Sequence, residues 1–446
     1  MPIFLSFCHG KRKQRGASLL VFMMILTIAI VATIYAKYNT TTVAIYNEKK
    51  TTDALKKAKD ALIYYSLNNT YLNSATCVSS TNCARPGDLP CPDTNNDGTA
   101  ESTCGNAAGN NQTLRLNRLP WKTLGLDDIT DGFGEHLWYA VSNNYKNNTR
   151  TRPLNSDTLG TITVKDSAGK VIYDATTGGG VVAIIFSSGN PITRQDGYVQ
   201  NRNAAGLNNA NNYLDVAFGE DNSNFTDGSG TDGFILGPIK DANSNVVLND
   251  RLIVITRDEM AEAIESYVLT QVRDAFLTYY NTNFYYPYPA LFSDTTCIVT
   301  TSVNITAGCN SQNLNYEGRI PVFNLNQSGS TWTSTSILKG LRASNWFQQN
   351  LWRELIYYAI APSCEITTPN CAGTQKLTLS NAILAPQNMK NMVIISAGKT
   401  ISTQIRVTKS AALNYFEGEN VTPLDFIYNR PSTVNSFTND RAMSIP

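Results

Sequence analysis

The sequence predicts an α+β protein: a long N-terminal helix that crosses a membrane and then lies on an antiparallel sheet, with a second soluble α+β unit in tandem. Three observations carry this. Residues 19–36 hold no charge and follow a cluster of cations. Two later stretches place apolar residues at helical spacing, and each is followed by short apolar or alternating runs broken by Gly, Asn and Asp. Five short motifs recur in the same order in the two halves, which reads as a tandem duplication.

At the N-terminus, Lys11, Arg12, Lys13 and Arg15 stand before Gly16, and the apolar run begins at once. About 20 residues at ~1.5 Å per residue cover a hydrocarbon core of ~30 Å. The bias of Lys and Arg toward the inner side would keep the cluster in the cytoplasm and send the rest across. A secretory signal carries its small-residue cleavage site after the apolar segment, whereas here Gly16 precedes it.

Basic residues, Gly16 and a charge-free span, in that order, resemble the leader of type IV prepilins and type II secretion pseudopilins. The resemblance implies a cut between Gly16 and Ala17 by a prepilin peptidase, methylation of the new N-terminus and retention of the apolar helix. It also implies a single-pass inner-membrane protein with a periplasmic C-terminal part, able to assemble into a pilus or pseudopilus at the cell surface. Its implied partners are that peptidase, other pilin or pseudopilin subunits and an inner-membrane assembly platform. Most major pilins carry glutamate at the fifth mature position. Val21 stands there in this chain, which points to a minor or tip subunit.

Composition narrows the rest. A chain of 446 residues suggests two or three domains. Its 16% charged residues fall below the usual quarter. The formal charge is +1, and without the four leader cations it becomes −3, so no basic field for nucleic acid is present. Of nine cysteines, Cys8 belongs to the leader. The other eight fall into close sets, Cys77 with Cys83, Cys91 with Cys104, Cys297 with Cys309 and Cys364 with Cys371, and read as local disulfides of an oxidising compartment. Sequence alone admits about 105 pairings, and exchange among Cys77, Cys83, Cys91 and Cys104 stays open.

Along the chain, Leu55, Ala58, Leu62 and Tyr65 form an apolar stripe, and Asn68 and Asn69 end that helix. A cysteine-bearing loop follows from about Thr76 to Gln112. Leu119 to Leu126 and Asp131 to Val141 are aromatic-rich core pieces joined by a turn at Asp131-Gly132. With the preceding Leu89-Pro90-Cys91-Pro92-Asp93, they resemble large prepilin-like proteins of Gram-negative bacteria. Asp131-Gly132-Phe133-Gly134 is similar to a turn of major pseudopilins. Thr161 to Lys165 and Lys170 to Asp174 flank a hairpin turn, while Val181 to Phe186 and Arg251 to Thr256 are buried-strand candidates. Ser187 to Asp250 reads as a long polar loop with packed pieces near Tyr213 to Phe218.

The echoes pair Lys59-Asp60-Ala61-Leu62 with Arg273-Asp274-Ala275-Phe276, Glu135 to Val141 with Glu354 to Ile360, and Ala183 to Gly189 with Met392 to Gly398. Gly219-Glu220 pairs with Gly418-Glu419, and Asn249-Asp250-Arg251 with Asn439-Asp440-Arg441. The expected division is therefore a leader over 1–16, a transmembrane helix over 17–36, and pilin-like domains over 37–256 and 257–446. The second helix, near 257–281, carries Ile264, Val268, Val272, Ala275 and Tyr279 inward and opens with Asp258, Glu259 and Glu262. A single combined domain is the alternative.

Chemistry is sparse. With only His9 and His136 present, no Ser-His-Asp or Cys-His set is marked, and His136 sits in an aromatic run that reads as core. Gly178-Gly179-Gly180 reads as a turn before a strand rather than a phosphate cradle. The best candidate is a calcium loop, with Asp93, Asn95 and Asp97 at alternate positions, Gly98 at the turn, the Thr99 carbonyl and Glu101. Cys104 stands where the usual twelfth-position acid would be, and a hydrogen-bonded Asp/Asn-Gly turn is the competing reading. Asp221, Asp227 and Asp232 form a weaker set.

The sequence thus predicts a non-enzymatic minor pilin or pseudopilin-like subunit that primes or caps a fibre, with calcium as its one candidate cofactor. A tip adhesin and a membrane-tethered hydrolase are the alternatives.

Overall fold

The computed structural model describes residues 17–68, 84–105, 114–148, 150, 153–203, 206–230, 232–298, 308–326, 330–339, 345–380, 387–401, 404–421, 425–430 and 438–446. Helix α1 (Ala17–Asn68) is 52 residues long. Strands β1 (Leu116–Arg118), β2 (Trp138–Val141), β3 (Ala183–Ser187) and β4 (Arg251–Ile255) follow and form one sheet in sequence order. Every neighbouring pair is antiparallel.

One residue after β4 the pattern restarts. Helix α2 (Arg257–Asn283) is followed by β5 (Glu317–Arg319), β6 (Ile356–Ile360), β7 (Met392–Ser396) and β8 (Arg441–Ile445), again antiparallel in sequence order. Each repeat adds a small three-stranded layer of the same mixed topology. Val164–Lys165 pairs antiparallel with Val171–Tyr173 and parallel with Phe234–Ile235. Leu377–Ser380 pairs antiparallel with Gln387–Lys390 and parallel with Ile427–Asn429.

The helices form where the spacing places them. Leu55, Ala58 and Leu62 are buried against the first sheet, with Tyr65 half-buried. In α2, Ile264, Val268, Val272 and Tyr279 face inward, joined by Met260, Leu269 and Phe276. Its start is fixed by a capping box in which the Thr256 hydroxyl accepts from the Glu259 N–H and the Glu259 carboxylate accepts from the Thr256 N–H. Phe284, in the left-handed region, ends it.

Both central strands of each sheet read as unbroken apolar runs because both of their faces are covered. In the first sheet Tyr139, Val141 and Ile185 face α1, whereas Trp138, Ala140, Ile184 and Phe186 face Tyr213, Phe225 and Phe234 of the outer layer. The long polar segment after β3 is thus a folded layer, with a single turn of helix at Ala210–Asn212 and short strands that bury Leu214, Ala217 and Leu248. In the second sheet Tyr358 meets Phe276 of α2 at 4.6 Å between ring centres, and Tyr357 meets Phe416 on the opposite side at 5.2 Å.

The two repeats share one continuous hydrophobic core through α1 and α2. Lys59 pairs with Glu259 at 2.6 Å, and the Ser66 hydroxyl lies 3.5 Å from Met260 Sδ. Gly87 has φ of +98°, and a Cβ there would stand 2.5 Å from Ile264 Cδ1, so glycine lets the chain cross the seam.

One expectation is corrected. Among the described residues no helix is long and apolar enough to cross a membrane, and the transmembrane helix over 17–36 and the single-pass inner-membrane placement go with it. The apolar side chains described there run over residues 19–33. They are exposed, from Leu19 to Val31. The α+β class, with helices packed on antiparallel sheets, stands without a span.

Candidate functional site

The most elaborate side-chain constellation is built twice, once per repeat, on the sheet face away from the helix. β1 ends in Arg118 and β5 in Arg319, both buried. Arg118 stacks over Tyr213 at 3.9 Å and over Trp138 at 4.4 Å, and donates to the His136 and Leu207 carbonyls. Arg319 stacks over Phe292 at 3.9 Å and Tyr415 at 5.5 Å, and donates to the Glu354 and Lys409 carbonyls. Burial lowers the pKa of both guanidinium groups. Carbonyl oxygens and aromatic faces hold these cations in place of carboxylates.

The arms that supply Leu207 and Lys409 carry a matched set, Gln200 and Arg202 in one and Gln404 and Arg406 in the other. Arg202 donates to the Gly189 carbonyl, and Arg406 to the Gly398 carbonyl. Gln200 donates to Asp215 and Gln404 to Glu417. Behind these acids lie Asp250 and Asp440, just before β4 and β8. Asp250 Oδ2 accepts from the Asp215 N–H at 2.8 Å and from Asn222 at 3.0 Å. Asp440 Oδ2 accepts from the Glu417 N–H at 2.9 Å and from Asn420 at 2.9 Å. In return the Asn249 N–H donates to Asp215, and the Asn439 N–H to Glu417. Burial pushes Asp215 up to about 6. It raises Asp250 well above the carboxyl range, with Asp215 adding to the rise, and raises Asp440 in the same way beside Glu417.

Repeat one docks on repeat two through residues 154–157. The Leu154 N–H donates to Asn350 Oδ1, and the Asn155 amide to the Asn350 carbonyl. Arg257 donates to the Ser156 carbonyl. Asp157 accepts from Thr400 N–H and hydroxyl at 3.0 and 2.7 Å and from Arg406 at 2.6 Å. A cleft of about 520 Å³ opens along this seam, lined by Asp157, Leu159, Leu355, Arg406 and Lys409 among others. A second, of about 570 Å³, lies between α1 and residues 127–130.

The sequence-predicted residues scatter away from these features. Gly16 lies outside the described residues, and Ala17 is the first residue of α1. Cys77 and Cys83 also lie outside them. Cys91 with Cys104, Cys297 with Cys309 and Cys364 with Cys371 are bonded, all as local pairs.

In the Asp93 loop, Asp93 Oδ1 accepts from the N–H groups of Asn95 and Asn96, and Oδ2 from Gly98. Asn95 accepts from the Asp97 N–H, and Asp97 from the Thr99 N–H, a bond that lowers the Asp97 pKa. Glu101 accepts from Thr94. The loop is closed by its own donors, in successive aspartate and asparagine turns. Among the described residues no three His, Cys, Asp and Glu side chains are grouped to hold a metal.

His136 lies between Asn96 Oδ1 at 2.8 Å and Asp128 Oδ1 at 2.6 Å, so both ring nitrogens face oxygen and neither faces a Ser or Cys nucleophile. Asp227 pairs with Arg115, Asp221 with Arg194, and Asp232 accepts from Thr226. Sequence reading missed the arginine platforms and carboxyl pairs. The one signal for them was the Asn-Asp-Arg echo at 249–251 and 439–441.

No family model, no curated protein and no solved structure matches the chain.

Proposed function

We propose that the chain is a non-enzymatic structural subunit of the minor pilin or pseudopilin kind, cut after Gly16 by a prepilin peptidase and used to prime or cap a fibre. The observation that carries this reading is the division of α1. From Thr51 onward the helix is set into the first repeat, and before it Leu19 to Val31 project with large apolar side chains exposed. Burying a Leu or Phe is worth about 1.5–3 kcal/mol each, so such a row needs cover. Like helices of neighbouring subunits supply cover of the right shape and length.

Support also comes from the heads. Residues 154–157 of the first repeat bond to Asn350, Thr400 and Arg406 of the second, which ties the two into one end piece. In the proposed role α1 gives cohesion, the disulfides pin the loops, and the repeats present a rigid end.

The experiment is N-terminal mass analysis of the protein from cells that make a prepilin peptidase and from cells that lack it. The expected result is a chain beginning at methylated Ala17 in the first and at Met1 in the second, with Gly16→Ala blocking the cut. The same N-terminus in both strains would overturn the proposal.

A further inference from the structure

The carboxyl pairs do more than fasten two loops, and this inference stands apart from the proposed function. In each repeat an acid from the arm layer, Asp215 or Glu417, meets an acid at the start of the last sheet strand, Asp250 or Asp440. The main-chain donors are exchanged reciprocally in both copies. Asp250 and Asp440 are nearly fully buried. Asp250 Oδ1 and Asp440 Oδ1 make no hydrogen bond, and neither do the amide oxygens of the preceding residues, Asn249 Oδ1 and Asn439 Oδ1.

A buried acceptor without a donor is costly. Finding two such acceptors on adjacent residues, at the same place in both repeats, marks where each pair lacks one hydrogen. Two close carboxyls cannot both ionise cheaply in a buried site, so one keeps its proton.

The charged surroundings do not remove that need. Around the first pair stand Arg202, which is also bound to Glu135 at 3.2 Å, then Arg118 under Tyr213, and Arg194 with Asp221 behind Leu214. Around the second stand Arg406, held by Asp157, with Arg319, Lys409 and Glu354 beyond it. Each nearest arginine already has its own carboxylate partner.

We propose that each repeat is closed by a carboxyl pair in which one acid keeps its proton at neutral pH, Asp215 with Asp250 and Glu417 with Asp440. Losing that proton loosens the arm layer from the sheet in both repeats. The direction follows from linkage. The folded chain holds protons that an unfolded carboxyl gives up near pH ~4, so stability is full below that value and falls as pH rises through the raised folded values. Each retained proton makes the unfolding constant grow about tenfold per pH unit within the window.

The test uses the full chain and Asp250→Asn, Asp440→Asn and the double variant. Asparagine keeps the oxygen that accepts from Asp215 or Glu417, adds an N–H2 donor in place of the proton, and cannot ionise. Unfolding is followed between about pH 5 and pH 8, and infrared spectra at neutral pH are read for the carbonyl band of a protonated carboxyl. The chain with both pairs intact is expected to show that band and to lose stability as pH rises. Each single variant should lose part of the band and part of the slope, and the double variant most of both. A spectrum of the intact pairs without the band at neutral pH, or a pH slope unchanged in the double variant, overturns the proposal. Glu265→Gln is the background for the spectra, because that buried carboxyl is itself pushed up to about 7, and the band is read there with both pairs intact, so the test survives an aspartate variant that does not fold.

Discussion

Arg118 and Arg319 occupy the same place in two copies of one structure. Each ends the first strand of its sheet, stacks on the ring of a tyrosine, Tyr213 or Tyr415, and donates to one carbonyl before the second strand and one from the arm. Tyr139 and Tyr358 repeat the relationship on the helix side, donating to the Pro90 and Pro287 carbonyls. Two halves that place arginine, tyrosine, glutamine and paired acids at matching positions share one architecture, even where their sequences share little else.

The platform arginines should therefore be structural anchors. Arg319→Met removes the donor of three part-buried carbonyls, those of Phe292, Glu354 and Lys409, while preserving apolar bulk, and each unsatisfied group costs about 1–3 kcal/mol. A loss of about 2–5 kcal/mol in urea unfolding is expected, with a similar loss for Arg118→Met. Lysine should not restore it, because an ammonium lacks the planar fork that reaches these carbonyls and lies flat on the ring.

The seam has its own test. Asp157 is the one carboxylate of repeat one that gathers Thr400 and Arg406 of repeat two. It is partly exposed, so Asp157→Ala should cost only about 1–2 kcal/mol. Its signature should be lost cooperativity. The variant is expected to melt in two overlapping calorimetric steps where the wild type melts in one, because the shared core at α1 and α2 is then left with the Asn350, Arg257 and Lys59 contacts to couple the repeats. A single sharp transition with unchanged midpoint would show that the seam does not depend on this residue.

How much of this was legible follows from the range of the forces involved. The stripes at Leu55–Leu62 and Ile264–Tyr279, the hairpin around Asp166–Gly169 and the runs that became β3 and β4 are local patterns that could be read directly, whereas β6 and β7 are marked only as echoes of β2 and β3. The segment from Ser187 to Asp250 looked like a loop because its order comes from single buried residues such as Tyr213 and Phe234 and from side-chain bonds, with no period to detect. Arg118 and Arg319 sit in Leu-Asn-Arg and Glu-Gly-Arg, which share one letter. The Gly-Glu echo at 219 and 418 lay beside the true correspondence, since hydrogen bonding aligns Asp215 with Glu417 and Asn222 with Asn420.

The Asp93 loop gives a prediction that decides between a cation and a self-bonded turn. With Asp93, Asn95 and Asp97 each accepting loop N–H groups, a chelator is expected to leave the melting temperature unchanged. A rise of several degrees on adding calcium would restore the cation. Gly98→Ala should be destabilising with or without calcium, because φ is +85° and its Cβ would stand 2.5 Å from the Trp121 ring. Thermal melts of both proteins in chelator and in calcium supply all four values.

The last prediction concerns Glu265, buried on α2 and bound to Arg441 at 2.6 Å. Burial pushes its carboxyl up to about 7, with Arg441 opposing the shift. The folded value lies above the unfolded one near ~4.3, so its contribution is greatest in acid and is lost as pH rises through about 7. In the first repeat the matching helix position is Thr51, whose hydroxyl accepts from the Gly132 N–H and does not titrate in this range. Glu265→Gln should consequently flatten the stability profile between about pH 5 and pH 7 and relieve the cost of charge at the alkaline end. It should weaken the Arg441 contact at every pH, for a net loss of about 1–3 kcal/mol. Urea unfolding at three pH values separates the two effects, since the lost contact shifts all three equally and the lost titration changes their spacing. If the spacing is unchanged, Glu265 is ionised throughout and Arg441 outweighs its burial.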